Sequence, residues 1–296
     1  MNEKTNERIS ILKLNTWVSG EVIAKKLNIS RTAVWKYIQQ LRRKGFTINA
    51  KPHLGYHLEK TPAGVTIEEL SQQLNTTLFG IQLIHLDSVP STNDYAKDLA
   101  KRNEAEGTIV FADEQIKGRG RKQRPWASPR EGLWFSIILR PNIPPTEAMK
   151  VTMCAACAIA ESIRKHTTLQ ASIKWPNDVL INNKKVCGIL TELSAEIDTI
   201  NYVIIGIGIN INNMIPSDLD KIATSLKQEL DQDIQVLPLF VSIIESFERF
   251  YHSLDEDDTI IRKSWVSYSS TIGSDIKVQT EKGELTGTAI GIKKKW

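Results

Sequence analysis

Between residues 30 and 44 apolar positions recur at Val34, Ile38 and Leu41, the i, i+4, i+7 spacing of one helix face, while Arg31, Thr32, Lys36, Gln40 and Arg43 fall opposite. Ser30 stands where it would cap this helix and Gly45 where it would end it. Upstream, Ile9, Leu12 and Leu14 mark a first helix. Ser19 opens a second over Gly20 to Leu27, with Val22, Ile23 and Leu27 turned inward, and Asn28-Ile29 makes the turn. Phe46-Thr47-Ile48 and Gly55 to Leu58 then alternate as two strands around Lys51-Pro52-His53. The pattern predicts a winged helix-turn-helix over residues 1–62. The segment from Glu59 to Thr66, with Pro62 and Gly64, reads as a linker.

From 66 to 265 strands and helices mix. Strands are expected at Ile81–Leu86, Thr108–Ala112, Gly132–Leu139, Ser172–Lys174, Val179–Ile181, Lys185–Leu193 and Tyr202–Ile209. Helices are expected at Ser91–Lys101, Glu147–Lys165 and Pro238–Tyr251. Runs of strands with helices to one side predict an α+β sheet domain. Residues 270–296 alternate as short strands.

Charge divides the chain. Residues 1–60 carry 12 Lys and Arg against 4 Asp and Glu, a net +8 against +4 for the whole, so the remainder is −4. A basic head on an acidic body is the footprint of nucleic-acid binding confined to one module. Within it, Ser30, Arg31, Thr32 and Lys36 at the start of the third helix, and Lys51 on the wing, are the expected DNA contacts. His53 and His57 lie on the wing, where hydrogen bonding or phosphate contact is expected. A small helical module that binds protein, its charges merely solvated, is the competing reading.

The N-terminus is polar, and the longest apolar stretch, Val203 to Ile211, is well short of the roughly 20 residues a membrane span needs. A cytoplasmic protein without membrane contact is expected. Three cysteines make no disulfide framework. Cys154 and Cys157 have CxxC spacing, but they lie in a helical pattern with a small-residue face, which reads as buried structure. His85, His166 and His252 are scattered without partners and read as structural. No P-loop, no dinucleotide-binding glycine triplet and no Ser-His-Asp or Cys-His arrangement emerges.

The densest chemistry is Gly118-Arg119-Gly120-Arg121-Lys122-Gln123-Arg124-Pro125-Trp126. A run this basic does not enter a core unpaired. Its glycines permit positive φ and close approach of backbone N–H groups to an anion. Its arginines offer bidentate donors for carboxylate or phosphate, and Trp126 offers a stacking face. In isolation this would be a solvated basic turn. Its neighbours are Lys174-Trp175-Pro176-Asn177-Asp178, Lys185 to Leu190, and Gly206-Ile207-Gly208-Ile209-Asn210.

Taken in order, Ser91-Thr92-Asn93, Gln115 with Gly118 to Arg121, Trp126, the KWPND run, Lys185 with Gly188, and the GxGIN run resemble biotin protein ligases, in particular the bifunctional kind that also represses biotin genes. The resemblance covers nearly the whole chain. It implies a class II synthetase-like catalytic domain and, at the end, a small SH3-like barrel, of which residues 270–296 are the start. The family barrel continues for several more strands, so a shortened tail is expected here, with an effect on ATP affinity. It implies ATP and biotin as substrates, magnesium with the nucleotide, and no metal held by protein side chains.

The reaction so implied joins biotin to ATP as biotinyl-5'-AMP, then transfers biotin to a lysine of biotin carboxyl carrier protein. By resemblance, Lys185 sits between the biotin carboxylate and the phosphate, and Arg119 and Arg121 close over the intermediate. Ser91, Thr92, Asn93, Gln115 and Gly118 belong to the biotin side. Gly188, Gly206 and Gly208 are where ligand meets backbone, although the last two also read as a bulge in a buried strand. Arg124, Trp126, Asn177 and Asn210 belong to the adenylate side. Trp175 reads as core. Lys174 orients carboxylates or touches substrate, and Asp178 braces a loop or meets magnesium. Operator DNA and a ligand-induced homodimer are the further implied partners. Two alternatives stay open: a biotin-sensing regulator whose ligation is impaired by the short tail, and a related lipoate ligase.

Overall fold

The computed structural model describes residue 12 and residues 17–43, 47–60, 64–280 and 283–292. The chain divides into two compact units, residues 1–68 and 69–296.

In the first unit, α1 (Gly20–Leu27) is capped by the Ser19 hydroxyl, which accepts from the Val22 N–H at 3.2 Å. It ends on Asn28 in the left-handed conformation. Ser30 accepts from the Ala33 N–H at 3.1 Å and so opens α2 (Arg31–Arg43). The strands β1 (Thr47–Lys51) and β2 (Gly55–Lys60) form an antiparallel hairpin, and Val18 pairs with Tyr56 on its edge. The apolar stripe of α2 meets Leu12, Val18, Ile23, Ile48 and Leu58 in one core, with Tyr37 added to it. Val22 differs from expectation: it is 45% exposed, because Ile23, Ala24 and Leu27 are the residues of α1 that reach the core. The helix expected around Ile9 and Leu14, and the residues Lys44 to Phe46, lie outside the described residues.

The second unit is built on a seven-stranded mixed sheet. Its strands are β3 (Leu83–Leu86), β4 (Ile109–Ala112), β5 (Leu133–Leu139), β6 (Ser172–Lys174), β7 (Asp178–Ile181), β8 (Lys184–Ala195) and β9 (Ile200–Ile209). They lie in the order β3-β4-β5-β9-β8-β7-β6. Only β3 and β4 run parallel. A short helix, α3 (Ile67–Gln73), begins at the end of the first unit and continues into the second, with Leu70 buried. The helices are α4 (Thr92–Lys101), α5 (Met149–His166), α6 (Leu226–Leu230), α7 (Val236–Glu256) and α8 (Thr259–Tyr268).

Alternation along β5 and β9 sorts the two faces. Phe135 packs on Phe240 of α7, and Thr191 of β8 shares a hydrogen bond with Thr152 of α5. Against this face α5 is apolar and small on nearly every side, as a helix between a sheet and α7 and α8 must be. Cys154 and Cys157 are buried there, and burial pushes both thiols well up from their ordinary range. The opposite face carries Val110, Ile138 and Ile204 beneath Ala96 and Ala100 of α4. Helices therefore lie on both faces, not to one side. The second face is only half covered by α4, and the uncovered half holds the site.

Two further readings change. Trp175 is not core: it is 38% exposed and meets the buried Trp265 edge-on, ring centres 5.9 Å apart, with a cis peptide bond to Pro176. His85 has a partner, Asp113 at 2.8 Å, and stacks on Phe111. The tail forms an antiparallel pair, β10 (Asp275–Thr280) and β11 (Gly283–Thr288), with every side chain of β11 exposed. Closure into a barrel is not seen among the described residues. None of the described helices is long and apolar enough to cross a membrane.

Candidate active site

Two rows of the uncovered face form the floor. In one, Ser136, Gly206 and Leu190 are Cα partners across β5, β9 and β8. In the next, Trp134, Gly208, Gly188 and Asp178 continue the ladder into β7. Three glycines thus open a trough in a sheet whose other positions carry side chains. The space is used by the protein itself. A Cβ on Gly208 would lie 2.5 Å from the Trp126 Nε1, and one on Gly188 would lie 3.1 Å from the Lys185 Nζ. The Trp126 indole rests on this glycine pair, its N–H buried without an acceptor among the described residues.

The basic segment is an ordered hairpin. The Trp126 N–H donates to the Gly118 carbonyl at 2.9 Å and the Gly120 N–H to the Arg124 carbonyl at 2.8 Å, around a 3-10 turn at Arg121–Gln123. Positive φ occurs at Lys122 and Gln123, not at the glycines as expected. Gly118 is needed for space: a Cβ would come within 2.5 Å of the Trp126 carbonyl and 2.6 Å of the Ser128 hydroxyl.

On the α4 side, Ser91 caps the helix and Thr92 donates to the Gln115 Oε1 from its N–H at 2.9 Å and its hydroxyl at 3.0 Å. The Gln115 amide donates on to Ser128 at 2.9 Å. Asn93, buried, donates to Glu192 at 2.8 Å and accepts from Ser136 at 2.6 Å. On the β8 side, the Lys185 ammonium stands 2.7 Å from Asp178 and 4.9 Å from the centre of the Trp126 ring. Arg121 donates to the Asn177 Oδ1 at 3.3 Å, and Asn177 is held in turn by the Ile189 carbonyl.

These groups line one pocket of about 570 Å³. It brings together Ser91, Thr92, Asn93, Gln115, Arg119, Arg121, Arg124, Trp126, Asn177, Lys185, Gly188, Gly206 and Gly208. Gly118 and Asn210 are not in its lining. Asn210 is buried, and its amide donates to the Thr224 carbonyl. It thereby holds the segment that supplies Leu219, Ile222 and Ala223 to the pocket wall, which sequence reasoning missed. That segment is fixed by backbone bonds to Lys185 and shows no periodicity in sequence.

The electrostatics are uneven. Arg119 is tied to Asp94 and Glu192, and Lys185 to Asp178. The hydrogen bond to Asp94, opposed by burial and joined by Glu192, raises Arg119 above its ordinary value. Among the described residues, Arg121, Lys122 and Arg124 have no carboxylate within ion-pairing distance. Three uncompensated cations over an apolar trough with a hydrogen-bonding end suit an elongated ligand, polar at one end and anionic at the other. Asp178 is the single carboxylate in the lining and pairs with Lys185. Among the described residues no group of three or more metal-ligating side chains occurs.

In the first unit, Arg31, Thr32, Lys36 and Lys51 are exposed, as is Ser30 beside them. Arg31 is paired with Glu21 of α1 at 2.6 Å, and the Lys51 ammonium lies 5.3 Å from the Trp17 ring centre.

A model of the biotin/lipoate A/B protein ligase family matches residues 85–210, and an HTH domain model matches residues 6–57. The chain is 42% identical over 283 residues to the bifunctional ligase/repressor BirA of Bacillus subtilis, covering 94% of this chain and 87% of that protein. It is 31% identical over 204 residues to the bifunctional ligase/repressor BirA of Escherichia coli, covering 69% and 62%. Among solved structures, the biotin protein ligase from Aquifex aeolicus in complex with biotin and ATP superposes with a TM-score of 0.64 at 30% identity. That match covers 72% of this chain and 88% of that one.

Proposed function

The chain belongs to the family of bifunctional biotin ligase/repressors, and we propose that its pocket makes biotinyl-5'-AMP from biotin and ATP and delivers biotin to a lysine of biotin carboxyl carrier protein. The observation that carries this reading is the single trough joining the Thr92–Gln115 hydrogen-bonding end to Lys185 and the uncompensated Arg121 and Arg124.

Biotin's ureido ring lies at Ser91, Thr92 and Gln115, its chain runs along Trp126, which itself fills the space over Gly188 and Gly208, and its carboxylate lies beside Lys185. A carboxylate oxygen attacks the α-phosphorus of ATP, and pyrophosphate leaves. Both reactants are anions, so Lys185 and Arg121 act by neutralising charge and aligning the reacting atoms. The acceptor amine then attacks the acyl carbonyl, the bond to AMP breaks, and the amine's surplus proton passes to solvent. Trp126 packs on biotin and the adenine side, with Asn177, Leu219 and Ile222 as neighbours. Asn210 acts on the adenylate side by holding the wall that carries Ala223. Magnesium enters on the nucleotide's phosphates.

The winged helix-turn-helix binds operator DNA through Thr32, Lys36 and the wing. Ligand in the pocket drives pairing of two chains, which doubles the phosphate contacts. The β10–β11 pair is read as part of a small SH3-like domain. With DNA and a carboxylase subunit as partners, the chain works in the cytoplasm.

The test incubates the intact chain with ATP, apo carrier protein and labelled biotin or lipoate. Biotin transfer that depends on ATP is expected; transfer of lipoate alone would overturn the reading. Sedimentation equilibrium with and without biotin and ATP tests the pairing. A mass that does not change with ligand would contradict it.

A further inference from the structure

The Arg119 guanidinium is held by two carboxylates. It grips Asp94 of α4 with both terminal nitrogens, at 2.6 and 2.7 Å, and both oxygens of Glu192 of β8, at 3.0 and 3.1 Å, and a fifth bond reaches the Ser91 hydroxyl at 3.2 Å. The side chain is only 16% exposed. One positive and two negative charges leave this cluster net negative beside a pocket read as binding two anions. Ligand attraction alone would argue against both carboxylates, so their presence calls for a different role.

Their placement supplies it. Arg119 pairs with Pro125 as one rung of the hairpin that carries Arg121, Arg124 and Trp126. Its clamp joins that hairpin to a helix and to a sheet strand, both fixed in the core. Glu192 also accepts from Asn93, which accepts from Ser136 beside Gly206, and the Ser136 hydroxyl lies 2.8 Å from that of Thr92. One carboxylate therefore sets both the loop over the phosphate end and the hydrogen-bond chain at the biotin end.

We propose that Glu192, with Asp94, is a positioning residue for adenylation: it clamps Arg119 so that the 118–126 hairpin stays closed over the bound intermediate. This rests on the reading of the pocket as a biotinyl-adenylate site.

The variants are Glu192→Gln, which retains an acceptor for Asn93 but loses the charge, and Asp94→Asn. Two measurements separate the clamp from the chemistry. Biotinyl-AMP formed on the intact chain is chased with excess unlabelled biotin and ATP. Both variants should release it about tenfold faster or more, and should raise KM for biotin more than they lower kcat, with little change in thermal midpoint. Trypsin added to the ligand-free chain should cut Glu192→Gln faster between residues 121 and 124. Unchanged release and unchanged cleavage would overturn the clamp, as would a release that changes only in step with lost folding. If the unaltered chain makes no biotinyl-AMP, the reading of the pocket fails, while the trypsin rates still decide whether Glu192 holds the hairpin.

Discussion

Gly206 and Asn93 are complementary: a Cβ on Gly206 would lie 1.9 Å from the Asn93 Oδ1, so the strand gives up a side chain where the helix inserts one. Asn93 is itself fixed by Glu192 and Ser136 and has nowhere to move. Gly206→Ala should therefore destabilise the domain by about 1–3 kcal/mol, the cost of overpacking a closed site. It should also raise KM for biotin, because Ser136 and Thr92 shift with Asn93. Urea unfolding and initial-rate kinetics on the same preparation check both; an unperturbed KM would contradict the link between floor and ligand.

Arg121 reaches Asn177 and has no carboxylate partner among the described residues. Arg121→Gly should still form biotinyl-AMP but lose it to solvent, labelling lysines on bystander proteins. A release assay that finds the wild-type half-life would count against this.

Glu248 of α7 is buried and accepts from the N–H groups of Thr77, Leu78 and Phe79 at 2.7, 2.8 and 2.6 Å. Burial works to raise its pKa, but these bonds and the Thr77 hydroxyl together hold it below its ordinary value. Glu248→Gln should cost about 2 kcal/mol at neutral pH. A depressed carboxylate stabilises fully above its unfolded value, about 4.3, and loses that contribution as pH falls through its folded value. Urea unfolding should then show a smaller gap between the two proteins at pH 3 than at pH 7. A gap constant with pH would refute the assignment.

On the DNA side, Lys36 is exposed on α2, and Arg31 is drawn to Glu21. Lys36→Ala should lower the slope of log K against log salt by about 1, the loss of one phosphate contact. Glu21→Gln should act in the opposite direction on affinity by freeing Arg31. Titration of operator fragments over a range of salt measures both. Equal slopes for Lys36→Ala and wild type would remove Lys36 from the interface.

How much was legible depended on whether a residue's partner was near in sequence. The stripe Val34, Ile38, Leu41 and the alternation Leu133, Phe135, Ile137 are local patterns, and each became a buried face. The helix α8 was not legible, since its two buried anchors, Ile261 and Trp265, lie in a polar, serine-rich context. The site's identity was carried by short motifs, but its wiring was not. Asp94 and Glu192 lie 25 and 73 positions from Arg119, so only folding brings them to it. Gly118 kept its place in the motif for a reason unlike the one composition suggests: crowding by Trp126 and Ser128 rather than positive φ. Trp175 reads as core by its apolarity, yet it lies just past the end of the short outermost strand β6 and stays partly exposed.

Single-turnover formation of biotinyl-AMP decides whether this pocket activates biotin. The intact chain, in excess over labelled biotin and ATP, should convert biotin to the adenylate with release of one pyrophosphate. Lys185→Ala should slow that step by about 10²–10³-fold, as loss of one charge-stabilising donor does, while its thermal midpoint stays close to wild type. Adenylate formation at the wild-type rate by Lys185→Ala, or none by the intact chain, would contradict the account.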